Sequence, residues 1–173
     1  MHRPSRIRPP RSVVTALSLL PGERTLAWAT DALGQWYVGT NLALHLPAAS
    51  GEYRRVGWED VQRADWDQDS ERLTIVEVAD WGEPEPSSSF EVAEPGRLLE
   101  LIRERVTSTV VCNVYARVRG REGVSVVGRR SPSRNAPVRW SYVLSATLDP
   151  ADPVVAEVAA QTLAEARREV EGL

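Results

Sequence analysis

At 173 residues and 19.2 kDa the chain has the size of one domain, or of two small modules that share an interface. With 42% hydrophobic and 26% charged residues, a net charge of -3 and a mean hydropathy of -0.31, its composition is that of a soluble globular protein, and no apolar run approaches the ~18–20 residues of a membrane-spanning helix. Collagen, coiled coil and wholesale disorder are excluded too, and the single cysteine, Cys112, rules out an internal disulfide framework and fits a reducing, cytoplasmic compartment.

Residues 1–19 read as a basic Pro/Arg arm leading into a short helical turn. Arg3, Arg6, Arg8 and Arg11, the apolar stretch Val13 to Leu20, and Ala27-Trp28-Ala29 imitate a secretory signal with a small-x-small cleavage site. Thr15 and Ser18 interrupt the apolar core, Glu23 and Arg24 put charge where the cleavage region is small and polar, and Trp28 sits at the supposed cut. The expectation is therefore an arm whose Val13, Leu17 and Leu20 dock on the domain.

From Leu20 onward the pattern is that of strands. Turn signals at Pro21-Gly22, Ala32 to Gly34, Asn41, Pro47 to Gly51, Asp67 to Ser70 and Gly82 to Ser88 bound segments rich in Val, Leu, Thr, Trp and Tyr. These segments predict strands at 25–30, 35–40, 42–46, 54–58, 61–66, 72–79 and 88–92, a set suited to a small antiparallel barrel or sandwich. The six tryptophans, at 28, 36, 58, 66, 81 and 140, are expected to fill the interior rather than to form a ligand cage, with Trp81 as the exposed exception. The period then changes. Pro95 suits a first helical position, and Leu98, Leu99, Leu101, Ile102 and Val106 form one stripe, which predicts a helix over 95–106 closing the open end of the barrel.

Four stretches stand out within this segment: Leu20-Pro21-Gly22-Glu23, the hairpin from Trp36 to Leu46, Trp58-Glu59-Asp60-Val61, and Pro95 to Arg105. With the order of seven strands and one helix they resemble the pleckstrin-homology-like superfold, especially its small bacterial and GRAM-type members, over residues 20–107. The resemblance implies a seven-stranded antiparallel barrel with a capping helix. Such relatives often carry a basic residue after the hairpin turn, where this chain has Ala43, so a lipid headgroup is not an expected partner. The whole chain also resembles uncharacterised proteins of high-GC Gram-positive bacteria, and its basic residues are all Arg, with no Lys, as a GC-rich genome favours.

Residues 108–173 lie beyond that resemblance and read as a β-β-β-α module, giving an α+β, mainly β fold overall. Alternation sets Val110, Cys112, Val114, Ala116 and Val118 on one face of a strand and Asn113, Tyr115, Arg117 and Arg119 on the other. Further strands are expected near 123–130 and 138–148, the last with Trp140, Tyr142, Leu144 and Leu148 on one face. Asp152 before Pro153 is an N-cap signal for a helix with the stripe Val154, Val155, Val158, Leu163, Ala166 and Val170.

Few residues offer chemistry. The acidic run Asp65 to Glu71 starts like a calcium loop, but Ser70 replaces the turn glycine and Val76 stands at the place of the bidentate Glu, so a solvated hairpin turn is expected. His45, expected on the outer face beside Ala43, has no Gly-x-Ser-x-Gly elbow to serve, and Gly120-Arg121-Glu122-Gly123 is no phosphate-cradling loop. No enzyme, cofactor or metal is therefore expected.

The candidate site is a basic face. Parity places Arg117, Arg119, Arg129 and Arg139 opposite the apolar side of the second sheet with Tyr115 among them, and the loop carrying Arg130 and Arg134 extends the patch. Residues 52–96 carry a net charge of -9 and residues 97–140 one of +7, so the basic face either simply faces water, meets the acidic segment of the same chain or addresses a partner. The expected function is a non-catalytic binding or adaptor module for a protein partner. The alternatives are nucleic-acid binding through the Arg-rich face, with Tyr115 stacking a base, and an enzyme of unknown class.

Overall fold

Strand alternation, set by short turns, organises the first half of the chain. The computed structural model describes residues 8–133 and 135–172. A short helix, α1 (Arg11–Ala16), precedes β1 (Thr25–Thr30), β2 (Trp36–Thr40), β3 (Ala43–Pro47) and β4 (Tyr53–Gly57), which form an antiparallel sheet in the order β1-β2-β3-β4. A 3-10 turn at Trp58–Asp60 then carries the chain into β5 (Val61–Asp67), β6 (Arg72–Glu77) and β7 (Ser87–Glu91), a second antiparallel sheet in that order. The seven expected strands all form, but as two sheets. Among the described residues no pairing joins β4 to β5 or β1 to β7, so the ring is not closed.

The interior between these sheets is mostly aliphatic. Leu44, Leu46, Val56, Leu73 and Ile75 meet Leu98, Leu99, Leu101 and Ile102 from α2 (Gly96–Thr109), which packs on β1, β2, β5 and the 3-10 turn. Only one tryptophan, Trp58, lies wholly inside, where its indole N–H donates to the Thr40 carbonyl at 3.0 Å. Trp66 packs at the margin and donates to the Val92 carbonyl at 3.2 Å. Trp81, the expected exposed exception, is half-buried and stands edge-on to Tyr142, ring centroids 4.9 Å apart. Gly39 on β2 lets α2 approach closely, since a Cβ there would lie 2.6 Å from Leu101 Cδ2.

The capping helix runs three residues past the expected end at 106. Thr and Ser are poor helix interiors because their hydroxyls compete for backbone groups, yet here they extend the last turn. Ser108 Oγ donates to the Arg105 carbonyl at 2.9 Å and Thr109 Oγ1 to the Val106 carbonyl at 2.8 Å. The chain passes from Thr109 directly into β8 (Val110–Arg119).

The third sheet has the order β10-β9-β8, with β9 at Glu122–Arg130 and β10 at Val138–Leu144. The last strand ends before Leu148, which is buried beyond it in the turn leading to α3 (Pro153–Glu171). Asp152 caps α3 as expected, accepting from the Val154 N–H at 2.8 Å. The buried stripe of α3 differs from the expected one. It is Val155, Ala159, Thr162 and Ala166, a strict i, i+4, i+7, i+11 set, while Val154 in the first turn is 53% exposed. This helix covers the face of the sheet that carries Cys112, Val114, Val126, Trp140 and Tyr142.

The N-terminal segment docks through fewer residues than expected, since Leu17 is buried, Val13 half-buried and Leu20 48% exposed. Residues 1–7 of the Pro/Arg arm lie outside the described residues. Among the described residues no helix is long and apolar enough to cross a membrane.

Candidate binding surface

The face opposite α3 divides into a docked end and an open end. At the docked end Arg129, expected as a partner-binding residue, is only 6% exposed. Its guanidinium donates to the Val106 carbonyl at 3.0 Å, to Thr109 Oγ1 at 3.1 Å and to the Gln62 carbonyl at 3.1 Å. A buried arginine here meets only neutral oxygens, and desolvation pushes its pKa down from the usual value. Its chemical role is to tie β9 to the end of α2 and to β5. Ser141, 1% exposed, adds a hydroxyl contact to Gln62 Oε1 at 3.4 Å.

Arg139 is half-buried beside the same junction. Its side chain lies 3.4 Å from Asp60 and 3.4 Å from Asp80, both from the acidic segment. Arg119 is drawn the other way by a register shift between Arg117 and Arg119, and its guanidinium pairs with the Asp152 carboxylate at the start of α3. The Val154 N–H and Arg119 together hold that carboxyl below its usual pKa. Three of the expected site arginines are thus committed within the chain. Parity alone did not show this, because it assigns a face without saying what covers it.

The open end carries Tyr115 and Arg117. Tyr115 is 55% exposed and its ring lies across Gly123 of the neighbouring strand, where a Cβ would come 2.6 Å from the ring, while its hydroxyl donates to the Arg121 carbonyl at 3.1 Å. Arg117 is exposed, with no carboxylate at ion-pair distance among the described residues. Arg130 is exposed at the end of β9, and Arg134 lies outside the described residues.

The two edges of the third sheet also differ. Alongside β10, a cleft of about 570 Å³ is lined by Trp81, Pro84, Tyr142, Val143 and Pro150, and Arg63 there lies 3.1 Å from Glu85. The outer edge of β8 pairs with no strand among the described residues, and a second groove of about 550 Å³ runs between β8 and α3.

A separate polar cluster, missed in the sequence, lies inside the first sheet. His45 is not on an outer face but fully buried, and its Nε2 donates to Glu23 Oε1 at 3.0 Å. Thr40 Oγ1 donates to the same oxygen at 2.6 Å, and the other oxygen accepts from the Leu20 N–H at 3.0 Å and from Arg55 Nε at 3.3 Å. The Leu20–Glu23 turn delivers this carboxylate. Pro21 and Gly22, the latter at φ 79°, suit a type II turn closed by the Glu23 N–H on the Leu20 carbonyl at 2.9 Å. Burial alone would raise the Glu23 pKa, but the bonds from Thr40, His45 and Leu20 and the Arg55 charge outweigh it and bring it to about 2. The Thr40 hydroxyl also lies 3.0 Å from the Ala43 carbonyl, and the carboxylate it meets is a weak base at a pKa of about 2 and is closed off from solvent with it. Ala43, Leu44, His45 and Leu46 are all buried, so β3 is covered on both faces, which its alternation does not show.

Among the described residues no three His, Cys, Asp or Glu side chains are grouped to hold a metal ion. No family model matches the chain, and neither a curated protein nor a solved structure matches it.

Proposed function

We infer that the chain is a non-catalytic protein-binding module, in which a PH-like unit of seven strands and a capping helix supports a β-β-β-α unit that meets the partner. The observation that carries this reading is β8, a ten-residue strand whose outer edge pairs with no strand among the described residues and which carries exposed Tyr115 and Arg117. Unpaired edges are a liability that proteins cover or blunt unless they are used. The four-plus-three strand order with α2 across it supports the PH-like part. The reading as a binding module is favoured over nucleic-acid binding because Arg119, Arg129 and Arg139 are spent on contacts within the chain. A phosphate-binding stripe needs several free cations.

The test is photocrosslinking from position 115 in the native cell, with the captured molecules identified by mass spectrometry and sequencing. Protein adducts at 115 that vanish with Arg117→Glu are the expected result. Adducts that are mainly RNA or DNA, or none above the level of a probe placed on the far face of α3, refute it.

A further inference from the structure

We propose that the cleft beside β10 receives an extended, arginine-bearing segment of a partner protein, with one guanidinium lodged among Trp81, Tyr142 and Glu83. This surface is separate from the face that carries Tyr115 and Arg117, and the proposal goes beyond the reading built on that face. At about 570 Å³ the cleft has the volume of a ligand pocket, and it runs open between residues 79–85 and 142–150, so a continuing chain can pass through it. The turn Asp80-Trp81-Gly82-Glu83 makes one wall. Gly82, at φ 79°, and the Glu83 N–H on the Asp80 carbonyl at 3.1 Å suit a type II turn, which fixes where Trp81 and Glu83 stand. The other wall carries half-buried Tyr142 and Val143, which is 42% exposed, and Pro84 and Pro150 add rigid apolar surface. The rings of Trp81 and Tyr142 meet at 75° with centroids 4.9 Å apart, so together they form an aromatic notch.

The charge at this notch is negative once the pairs are set off against each other. Arg63 lies 3.1 Å from Glu85 and 3.4 Å from Asp65, Arg139 lies 3.4 Å from both Asp60 and Asp80, and the Arg167 charge reaches Tyr142 from α3. Asp60, Asp65, Asp80, Glu83 and Glu85 thus stand against three guanidinium groups. Glu83 is exposed and has no ion pair among the described residues. A free carboxylate in the same turn as an aromatic notch suits arginine in particular. Its planar guanidinium stacks on a ring while its N–H groups fork to the carboxylate, which the rounder lysine ammonium does less well. Charge complementarity therefore asks for Arg in the guest, and the same carboxylates repel the phosphates of a nucleic acid.

The probes are synthetic peptides of repeated Gly-Ser-Xaa units, with Arg, Lys or Glu as the third residue. Binding to the full chain is read by fluorescence anisotropy, and the site by the NMR signals of the Trp81 indole and of residues 82–85. The Arg peptide is expected to bind with a Kd of about 1 mM or below and about threefold or more tightly than the Lys peptide, with the Glu peptide undetected. Trp81→Ala changes no charge and should weaken the Arg peptide about tenfold, ~1.4 kcal/mol, while Arg117→Glu should leave it unchanged. Arg63→Gln frees Glu85 and should tighten the Arg peptide, a gain that misfolding does not mimic. Affinities that follow peptide charge alone and survive Trp81→Ala, NMR shifts confined to residues outside the cleft, or no binding at about 10 mM peptide overturn the proposal. Self-association lost in Trp81→Ala, or peptide binding seen only once residues 1–7 with Arg3 and Arg6 are removed, assigns the cleft to a second copy or to the chain's own arm and overturns it too. Protein crosslinks from position 115 with a silent cleft remove this proposal alone, whereas an Arg peptide bound at Trp81 without those crosslinks removes only the reading of the Tyr115 face.

Discussion

Replacing Glu23 by Gln tests whether the buried polar cluster holds the N-terminal segment to the first sheet. The carboxylate accepts from Thr40, His45, the Leu20 N–H and Arg55, and its pKa falls from an ordinary 4.5 to about 2. At ~1.4 kcal/mol per pH unit, that depression corresponds to about 3 kcal/mol of folding stability. Because the folded-state pKa is the lower one, the contribution is fully present above pH 4.5 and is lost as the pH falls toward about 2. Gln removes the charge and turns an amide N–H₂ toward groups that are themselves donors. Urea unfolding of both proteins at pH 7, 5, 4, 3 and 2.5 is the assay. The variant should be less stable by about 3 kcal/mol at pH 7, with the gap narrowing only below pH 4.5. Parallel stability curves across that window would refute the account of Glu23 as an ionised, buried acceptor.

Arg129→Met removes the buried donor to the Gln62 carbonyl and one of the two donors to the Val106 carbonyl, which keeps Thr109 Oγ1, and a loss of about 2–4 kcal/mol is expected in thermal or urea unfolding. A loss under about 0.5 kcal/mol would show that the docking of β9 on α2 and β5 does not depend on it. Gly123→Ala brings a Cβ within 2.2 Å of the Ala116 carbonyl oxygen, a backbone atom that cannot rotate away, so it should cost at least about 2 kcal/mol and increase amide exchange in β8. Unchanged stability there would contradict the β8–β9 geometry. Arg139→Glu faces Asp60 and Asp80 and should destabilise by about 1–2 kcal/mol at low salt and by less in 1 M salt, while Arg117→Glu stays within about 0.5 kcal/mol. Equal effects at the two positions would remove the distinction between a docked and an open end.

Where one face of an element is covered and the other meets water, its pattern was readable. Gln62, Arg63, Ala64, Asp65, Trp66 and Asp67 alternate along β5 as their burial does, and the Leu98/Leu99/Leu101/Ile102 stripe lies against the core. The reading lost its grip where a tertiary partner decided the outcome. His45 looked solvent-facing because one face of β3 was assumed open, and the turn carrying Glu23 covers it from 22 positions earlier in the chain. Arg129 obeys parity and still lies inside, since the face it shares with Tyr115 is docked at one end. The register shift at Arg117/Arg119 likewise sends Arg119 to Asp152, which alternation does not foresee. Closure of the first seven strands was expected from their number, but the 3-10 turn at Trp58–Asp60 moves the chain between sheets without pairing β4 to β5.

The same contacts set the two edges of the third sheet apart. The acidic and basic blocks of the sequence meet at the β10 side, where Arg139 sits between Asp60 and Asp80 and Trp81 stands against Tyr142. Each exposed ion pair there contributes only about 0–1 kcal/mol, so the orientation of the unit depends more on buried Arg129 and its three acceptors. With β10 held beside the loop that carries Trp81, β8 lies at the opposite end of a three-stranded sheet, one strand removed from that contact. Its regular Cys112–Arg117 segment is left with α3 along one side, and among the described residues Arg117 is without the carboxylate at ion-pair distance that Arg139 has. On the face opposite α3 the charge left at this edge is therefore positive and local, whereas Glu165 and Glu169 of α3 flank the other side of the strand.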